Sequence, residues 1–418
     1  MKILGLVTEY NPFHNGHLYH LLESKKITNS DYSVCIMSGN FLQRGEPALL
    51  DKWSRAKMAI DNGVDLVIEL PFIYSCQSAE YFSYGAIKIL DSLGIVDSIC
   101  FGSEYGSIDS LGLIADVLIE EPDDYKEYLK KYLNEGNSYP KSRSSALYDF
   151  FKTQKLNDHL YLKELLSSPN NILGIEYMKA LKKINSNIIP YTIKRISSNY
   201  HDKEIKGNIS SATAIREEFF KNNALDNIKD TVPIETYNYL IDFLKDYKSF
   251  NSIENFNQIL LYILRTMSHE DLSNYKEVEK GLENRILKCF SQSNDISNIL
   301  NCIMTKRYTL TRLKRILFHI LLNLDKNMFD YLNSFGPQYA RVLGANRKGL
   351  EILSTAKNTS SIPIITKFSN YKKYKNNVLS KMIELDKKAT DIYFMGLSGL
   401  TDVSSYNLDY YISPYFKK

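Results

Sequence analysis

The residues that carry the most chemistry are His14, Asn15, Gly16 and His17, inside Ile3-Leu-Gly-Leu-Val-Thr-Glu-Tyr-Asn-Pro-Phe-His-Asn-Gly-His-Leu-Tyr-His20. The apolar run from Ile3 to Val7, the polar residues up to Pro12 and the helical pattern beyond read as buried strand, loop and helix. Backbone N–H groups at a helix start lack intrahelical partners and lie at the positive end of the helix dipole, so an anion is favoured there. Gly16 leaves room for close approach. His14 and His17, three residues apart, can turn both imidazoles toward one phosphoryl group and stabilise charge that builds on it. Two other readings stay open: ordinary polar loop residues, or a metal site with His20 as third ligand. The latter lacks a Cys or carboxylate at ligand spacing.

These residues need a scaffold, and the next hundred residues describe one. Tyr32–Met37, Asp65–Leu70 and Ile95–Phe101 read as further buried strands, with helical spacing at Tyr19–Lys26, Lys52–Asn62 and Gln77–Leu93. Strands alternating with helices predict a parallel sheet covered on both faces, and ligands in such sheets bind beyond the carboxyl ends of the strands. The exits Ser38–Pro47, Pro71-Phe72 and Gly102–Glu104 should therefore face the histidine loop. Arg44 can pair with phosphate or carboxylate there, or with Glu46 as a surface ion pair. Gly102 would let a base or ribose approach the backbone.

Leu111–Leu156 reads as a charged helical excursion. Asn170 and Asn171 open a helix, either as an N-cap or as carboxamides for a base or ribose. Asn187–Arg195 predicts another strand with Arg195 at its exit. In Ile209-Ser-Ser-Ala-Thr-Ala-Ile-Arg216, hydroxyl residues at a helix start and a basic residue one turn on can close over the β and γ phosphates of ATP, or form an ordinary cap. After residue 217 the chain reads as consecutive amphipathic helices to about residue 335, with Lys306, Arg307, Arg312, Lys314 and Arg315 as a basic stretch. Tyr339–Gly349 suggests a phosphate-contacting loop or a plain helix-turn-helix connection, Pro363–Phe368 a short strand, and Ala389–Phe394 a helix or strand.

The chain has 418 residues, 44% of them hydrophobic and 24% charged, which suits an ordinary soluble protein of two or three domains. No apolar run reaches membrane-span length and no secretory leader precedes the first strand, so a cytoplasmic location is expected. Cys35, Cys76, Cys100, Cys289 and Cys302 are scattered without a CxxC pair and read as reduced core thiols. The net charge of +4 is uneven. Residues 301–418 carry 19 Lys and Arg against 8 Asp and Glu, so the basic end invites a polyanionic partner. The expected organisation is a Rossmann-like α/β parallel-sheet domain over residues 1–217, with an excursion at about 111–156, followed by a mainly α-helical, basic region over 218–418.

The HxGH motif resembles the HIGH-type nucleotidyltransferases, and residues 209–216 resemble their ISSTxxR element, with Ala212 where Ser or Thr is common. EYNPFHNGHLYH, SGNFLQRGEPA, GVDLVIELP, FGSE, SPNNILGIEY and YARVLGANRKG together resemble the bacterial tRNA(Met) cytidine acetate ligase family, from Met1 to about Tyr393. The resemblance implies a two-step reaction: acetate and ATP form acetyl-adenylate and pyrophosphate, and the acetyl group passes to N4 of the wobble cytidine of elongator tRNA(Met). Carried over by position, the ATP site would comprise Val7, Thr8, Glu9, Tyr10, Asn11, Pro12, Phe13, His14, Asn15, Gly16, His17, Leu18, Tyr19 and His20. Gly102, Asn170 or Asn171, and Arg195 would complete it. His14 and His17 would stabilise the α-phosphate, with Arg44 as a further catalytic residue, while the backbone near Asn15 and Gly16 and the side chains of Ser210, Ser211 and Arg216 hold the pyrophosphate. Mg²⁺ would accompany ATP without a dedicated metal cage. Lys306, Arg307, Arg341, Arg347 and Lys348 would contact tRNA. Two rivals remain: an adenylyltransferase for a phosphorylated cofactor precursor, and a non-catalytic nucleotide- or RNA-binding protein.

Overall fold

The computed structural model describes residues 1–154, 165–195, 210–222, 225–397 and 405–418. Its strands are β1 (Ile3–Thr8), β2 (Tyr32–Ser38), β3 (Phe41–Leu42), β4 (Glu46–Pro47), β5 (Leu66–Leu70), β6 (Ser98–Ser103), β7 (Ile189–Lys194), β8 (Ala340–Ala345), β9 (Ile364–Ile365) and β10 (Tyr415–Phe416). Five of them form a parallel core in the order β5-β2-β1-β6-β7. Helices Asn15–Thr28, Lys52–Asp61, Ala79–Ser92 and Pro169–Lys183 connect or cover them. Burial on both faces explains the uninterrupted apolar runs: Val34, Cys35, Ile36 and Met37 are all inaccessible. Strand order reverses between β1 and β6, which opens a crevice at their carboxyl ends.

The second half returns to this sheet. Tyr339–Gly349, expected as a phosphate-contacting loop, instead supplies β8, which runs antiparallel beside β5 and pairs on its far side with β9 and β10. Its apolar residues Val342, Leu343 and Ala345 are buried, and Gly349 lets the following helix, Arg347–Thr359, press against Asp65. Ala389–Phe394 lies inside the helix Asn377–Met395. Helices between Ile234 and Ser334 form the rest of the second half, and Phe318 from the helix Leu310–Leu322 joins the two halves. Its ring lies 4.8 Å from Phe41 and 5.6 Å from Phe256.

The cysteines depart from expectation. Helices Leu282–Gln292 and Ile296–Ile303 pack against one another across a short turn and bring Cys289 and Cys302 into a disulfide, Cα to Cα 5.9 Å. Cys35, Cys76 and Cys100 are buried free thiols. No helix among the described residues is long and apolar enough to cross a membrane.

Candidate active site

His14 caps the helix Asn15–Thr28 in an extended conformation, its carbonyl accepting the His17 and Leu18 N–H groups at 2.8 and 3.1 Å, so the positive end of the helix dipole lies at the crevice above β1. Its backbone N–H donates to His17 Nδ1 at 3.3 Å, and the two rings stack with centroids 3.7 Å apart. Tyr10 meets the His17 ring edge-on at 5.0 Å, and Phe13 wedges beneath it at 5.8 Å. Buried aromatic packing thus fixes both imidazoles before any ligand arrives.

The loop carrying them is tied down by arginines. Arg55, wholly buried in the helix Lys52–Asp61, donates to the carbonyls of Glu9 (2.7 Å), Ser38 (3.1 Å), Leu50 (3.0 Å) and Gly39. It thereby satisfies the exits of β1 and β2 together. Arg216 donates to the Asn11 carbonyl at 2.9 Å, and Asn11 Oδ1 accepts the Leu49 N–H at 2.7 Å. Sequence reasoning passed over Arg55; its only signal is a charge on the apolar face of a helical pattern.

The crevice is a cavity of about 260 Å³. Val7, Thr8, Glu9, Tyr10, Asn11, His14, Gly16, His17, Tyr19 and His20 line it together with Gly102, Asn170 and Arg195. Ser210, Ser211 and Arg216 approach from the start of the helix Ala212–Asn222, and Arg44 from the β3–β4 hairpin. Segments far apart in sequence therefore meet around one space. Leu42, Phe82, Phe101, Leu173, Tyr177 and Ile193 add an apolar wall that the motifs did not announce. Gly102 serves close approach: a Cβ there would lie 3.3 Å from Arg195 Cγ. Gly45, at φ +72°, seats the hairpin against the backbone of Lys314 and Arg315, where a Cβ would overlap at 2.3 Å.

Some expected members fall outside the cavity. Phe13 and Pro12 are buried beneath the loop, Leu18 packs against the core, and Asn15 Nδ2 donates to the Asp230 carbonyl at 2.9 Å. Asn171 is 1% exposed, and its Oδ1 accepts the N–H groups of Glu104 (2.9 Å) and Tyr105 (3.1 Å). Glu104 in turn accepts from Asn170 Nδ2 and from the backbone of both asparagines, so it caps the helix Pro169–Lys183. Of the pair, Asn170 is the one left facing the ligand space. Glu46, the alternative partner offered for Arg44, also meets Lys314 at 2.6 Å and Arg216 at 3.9 Å.

The basic residues proposed for a polyanion separate into three places. Arg341 is buried in β8 and paired with Glu69 and Asp409, which corrects its expected surface role. Lys348 donates to the Asp31 carbonyl beside the start of β2, and Arg347 is exposed next to it, at the end of the sheet opposite the cavity. Lys306 and Arg307 are exposed just before the helix Leu310–Leu322, whose Lys314 reaches Glu46 at the cavity wall.

The ligand-free site is poor in protons. Burial, with Arg195 and Arg216 nearby, lowers His14 to about 3, and burial with Arg195 lowers His20 to about 4. His17 is lowered well below its ordinary value, by burial first and then by its two histidine neighbours. Among the described residues, His14 Nδ1 and His20 Nε2 are buried without a hydrogen-bond partner. A polyphosphate would fill that deficit, pairing with the guanidinium groups and giving the imidazoles an acceptor. One consequence is measurable. Unfolded histidines protonate near 6.5 whereas these three stay neutral in the fold, so below that pH the unfolded chain binds more protons. Stability of the ligand-free protein is present above pH 6.5 and is expected to decline toward about pH 5. Urea titrations across that range check it, and ATP should flatten the decline.

Comparison with known proteins agrees with this geometry. Residues 1–405 match the family model described as HIGH Nucleotidyl Transferase. A protein named tRNA(Met) cytidine acetate ligase from Alkaliphilus metalliredigens is 45% identical over 424 residues, covering 100% of this chain and 99% of its own. Its namesake from Acetivibrio thermocellus is 47% identical over 400 residues, covering 94% and 95%. The crystal structure of apo TmcAL from Thermotoga maritima superposes with a TM-score of 0.94 at 37% identity, over 100% of this chain and 99% of that one. The same protein bound with alpha-thio ATP gives a TM-score of 0.92 at 36% identity, with the same coverage.

Proposed function

Since the chain belongs to the tRNA(Met) cytidine acetate ligases of the HIGH nucleotidyl transferase family, we propose that it activates acetate with ATP and acetylates N4 of the wobble cytidine of elongator tRNA(Met). The carrying observation is the assembly of His14, His17, Ser210 and Arg216 around one cavity at the carboxyl end of β1. A triphosphate there would place its β and γ groups against the helix start at Ser210–Ala212 and Arg216. The α-phosphate would then lie beside the two histidines. Acetate attacks that phosphorus in line, and the neutral imidazoles and Arg44 stabilise the charge that gathers on its oxygens. Leu42 and Phe82 offer an apolar surface for the methyl group.

Mg²⁺ would come with ATP. Among the described residues no group of three or more His, Cys, Asp or Glu side chains could hold a metal, so a protein cage does not fit and the phosphates would carry the ion. Lys306 and Arg307 suit the approaching tRNA, because the basic helix behind them leads to the cavity through Lys314. Arg347 and Lys348 are worse placed for it. The reaction implies a location with tRNA, in the cytoplasm.

The test is incubation with ATP, Mg²⁺, labelled acetate and bulk bacterial tRNA, followed by nucleoside analysis. Label in N4-acetylcytidine that depends on ATP is expected. Pyrophosphate release with acetate but no label in RNA would remove tRNA as acceptor, and release only with a phosphorylated cofactor precursor would favour the rival transferase. Neutralising Lys306 and Arg307 together should weaken tRNA binding and reduce its salt slope by about 1–2. The same change at Arg347 and Lys348 should have the smaller effect.

A further inference from the structure

The cavity holds two carboxylates in unlike environments. Glu46 is clamped by Lys314 at 2.6 Å, and although burial alone would raise it, Lys314, Arg216 and Arg44 hold it below the usual carboxylate range. Such a group is a poor proton acceptor. Glu9 stands directly after β1, at the middle of the sheet, with Oε1 accepting the Gln43 N–H at 2.8 Å. Among the described residues no cation comes within ion-pair distance of it, and Oε2 has no hydrogen-bond partner. The Arg55 bond to its own carbonyl at 2.7 Å fixes where the side chain starts.

Resting on the proposed acetyl transfer to cytidine, we propose that Glu9 is the general base that removes the proton from the attacking N4 amine. In that step the nitrogen lone pair forms a C–N bond to the acetyl carbonyl. The C–O bond to AMP breaks with its electron pair going to the phosphate, and one N4 proton passes to Glu9 Oε2. Acetate and ATP combine without any proton transfer, so a base is idle in the first step and needed in the second. The three histidines are ill suited, since burial holds them neutral with low proton affinity and the phosphate occupies their nitrogens.

Groups from every side set the behaviour of Glu9: Arg44 on the hairpin, Arg55 on the helix Lys52–Asp61, Arg216 on the helix Ala212–Asn222, Tyr177 on the helix Pro169–Lys183, and Cys76. Burial outweighs the Gln43 N–H and the three arginines, and its proton affinity is raised above that of an ordinary carboxylate.

Separate measurement of the two steps tests this. Enzyme, ATP and acetate are mixed and pyrophosphate is counted; tRNA is then added and N4-acetylcytidine is followed in a single turnover. Glu9→Gln keeps an oxygen acceptor for the Gln43 N–H and is expected to slow acetyl transfer at least 30-fold more than it slows pyrophosphate formation. Glu9→Asp should recover part of that difference. Wild-type transfer should rise with pH through a titration above 4.5 that Glu9→Gln lacks. Equal slowing of both steps, unaltered transfer, or the same pH profile in the variant would overturn the assignment. If the wild-type protein forms the adenylate but acetylates no cytidine, the proposed function itself fails, whatever Glu9→Gln does.

Discussion

Replacing His17 with Ala is expected to slow acetate-dependent pyrophosphate release by about 10²–10³-fold, the usual cost of removing one preorganised donor from a developing oxyanion. The ring is held on three sides before ligand binds: by the His14 N–H at 3.3 Å, by Tyr10 and by Phe13. Little reorganisation is left for the reaction itself, which makes such a donor worth more in a dry cavity than in water. His14→Ala should act in the same direction, and the double variant should lose less than the product of the two, because stacked rings 3.7 Å apart serve one phosphoryl group. Acetate-dependent exchange of labelled pyrophosphate into ATP reads this step without tRNA. Comparison with ATP affinity, measured by titration, decides the role. Exchange lost with affinity retained marks stabilisation of the transition state; affinity lost in proportion would reassign the imidazoles to ground-state binding.

The second large effect lies away from the cavity. Replacing Asp409 with Ala should destabilise the protein by about 3–5 kcal/mol, the cost of leaving a buried charge uncompensated. Lys52 Nζ meets Glu69 and Asp409, each at 2.8 Å, while Arg341 Nη1 meets the same carboxylates at 3.1 and 2.6 Å. All four side chains are at most 5% exposed. The neighbouring Asp386 is raised to about 7, by burial first and then by Glu69, and it accepts from Tyr339 Oη and the Phe72 N–H. Two cations therefore balance two anions, with Asp409 held down to about 2 by Arg341 and Lys52 against its burial. Without Asp409, both cations face Glu69 alone. Denaturant unfolding measures the loss, which would be a large share of a total near 5–15 kcal/mol. A fitting control is Lys417→Ala, which breaks a pair with Asp61 that is 44% exposed on the lysine side and should cost under about 1 kcal/mol. If the two variants lost the same amount, the cluster would not be acting as a buried network. Lys52 also begins the helix that carries Arg55, so loosening the cluster should reach the loop of Glu9 and the histidines.

Local signals were legible where one short segment both makes an element and bears the chemistry. The strand-loop-helix at Ile3–His20 is of this kind: its apolar run, Pro12 and the following helical period place His14 at the helix start without help from elsewhere. Strands β2, β5 and β6 were equally readable, since burial on both faces leaves continuous apolar runs. Ser210, Ser211 and Arg216 followed from a helix start with hydroxyls, though Ile209 lies outside the described residues. Asn171 was harder, because a carboxamide at a helix start looks the same whether it faces a nucleotide or satisfies the backbone of Glu104 and Tyr105.

The sequence by itself determined the parallel core, the strand-loop-helix that carries His14 and His17, and the cap at Ser210–Ser211, because those depend on periodicities and caps within a few residues of each other. Tertiary structure alone decided what β8 and its arginine do. Arg341 sits amid Gly, Asn and basic residues, a pattern that reads as an open loop, and it becomes a buried strand residue only because Glu69 and Asp409 arrive from 272 residues before and 68 after to neutralise it. Arg55 has the same cause: a charge on an apolar helix face is tolerable only where the carbonyls of two separate strand exits converge on it. The Cys289–Cys302 bridge likewise depends on how two helices dock. Charges and thiols take their meaning from partners brought by the fold, and local pattern does not record those partners.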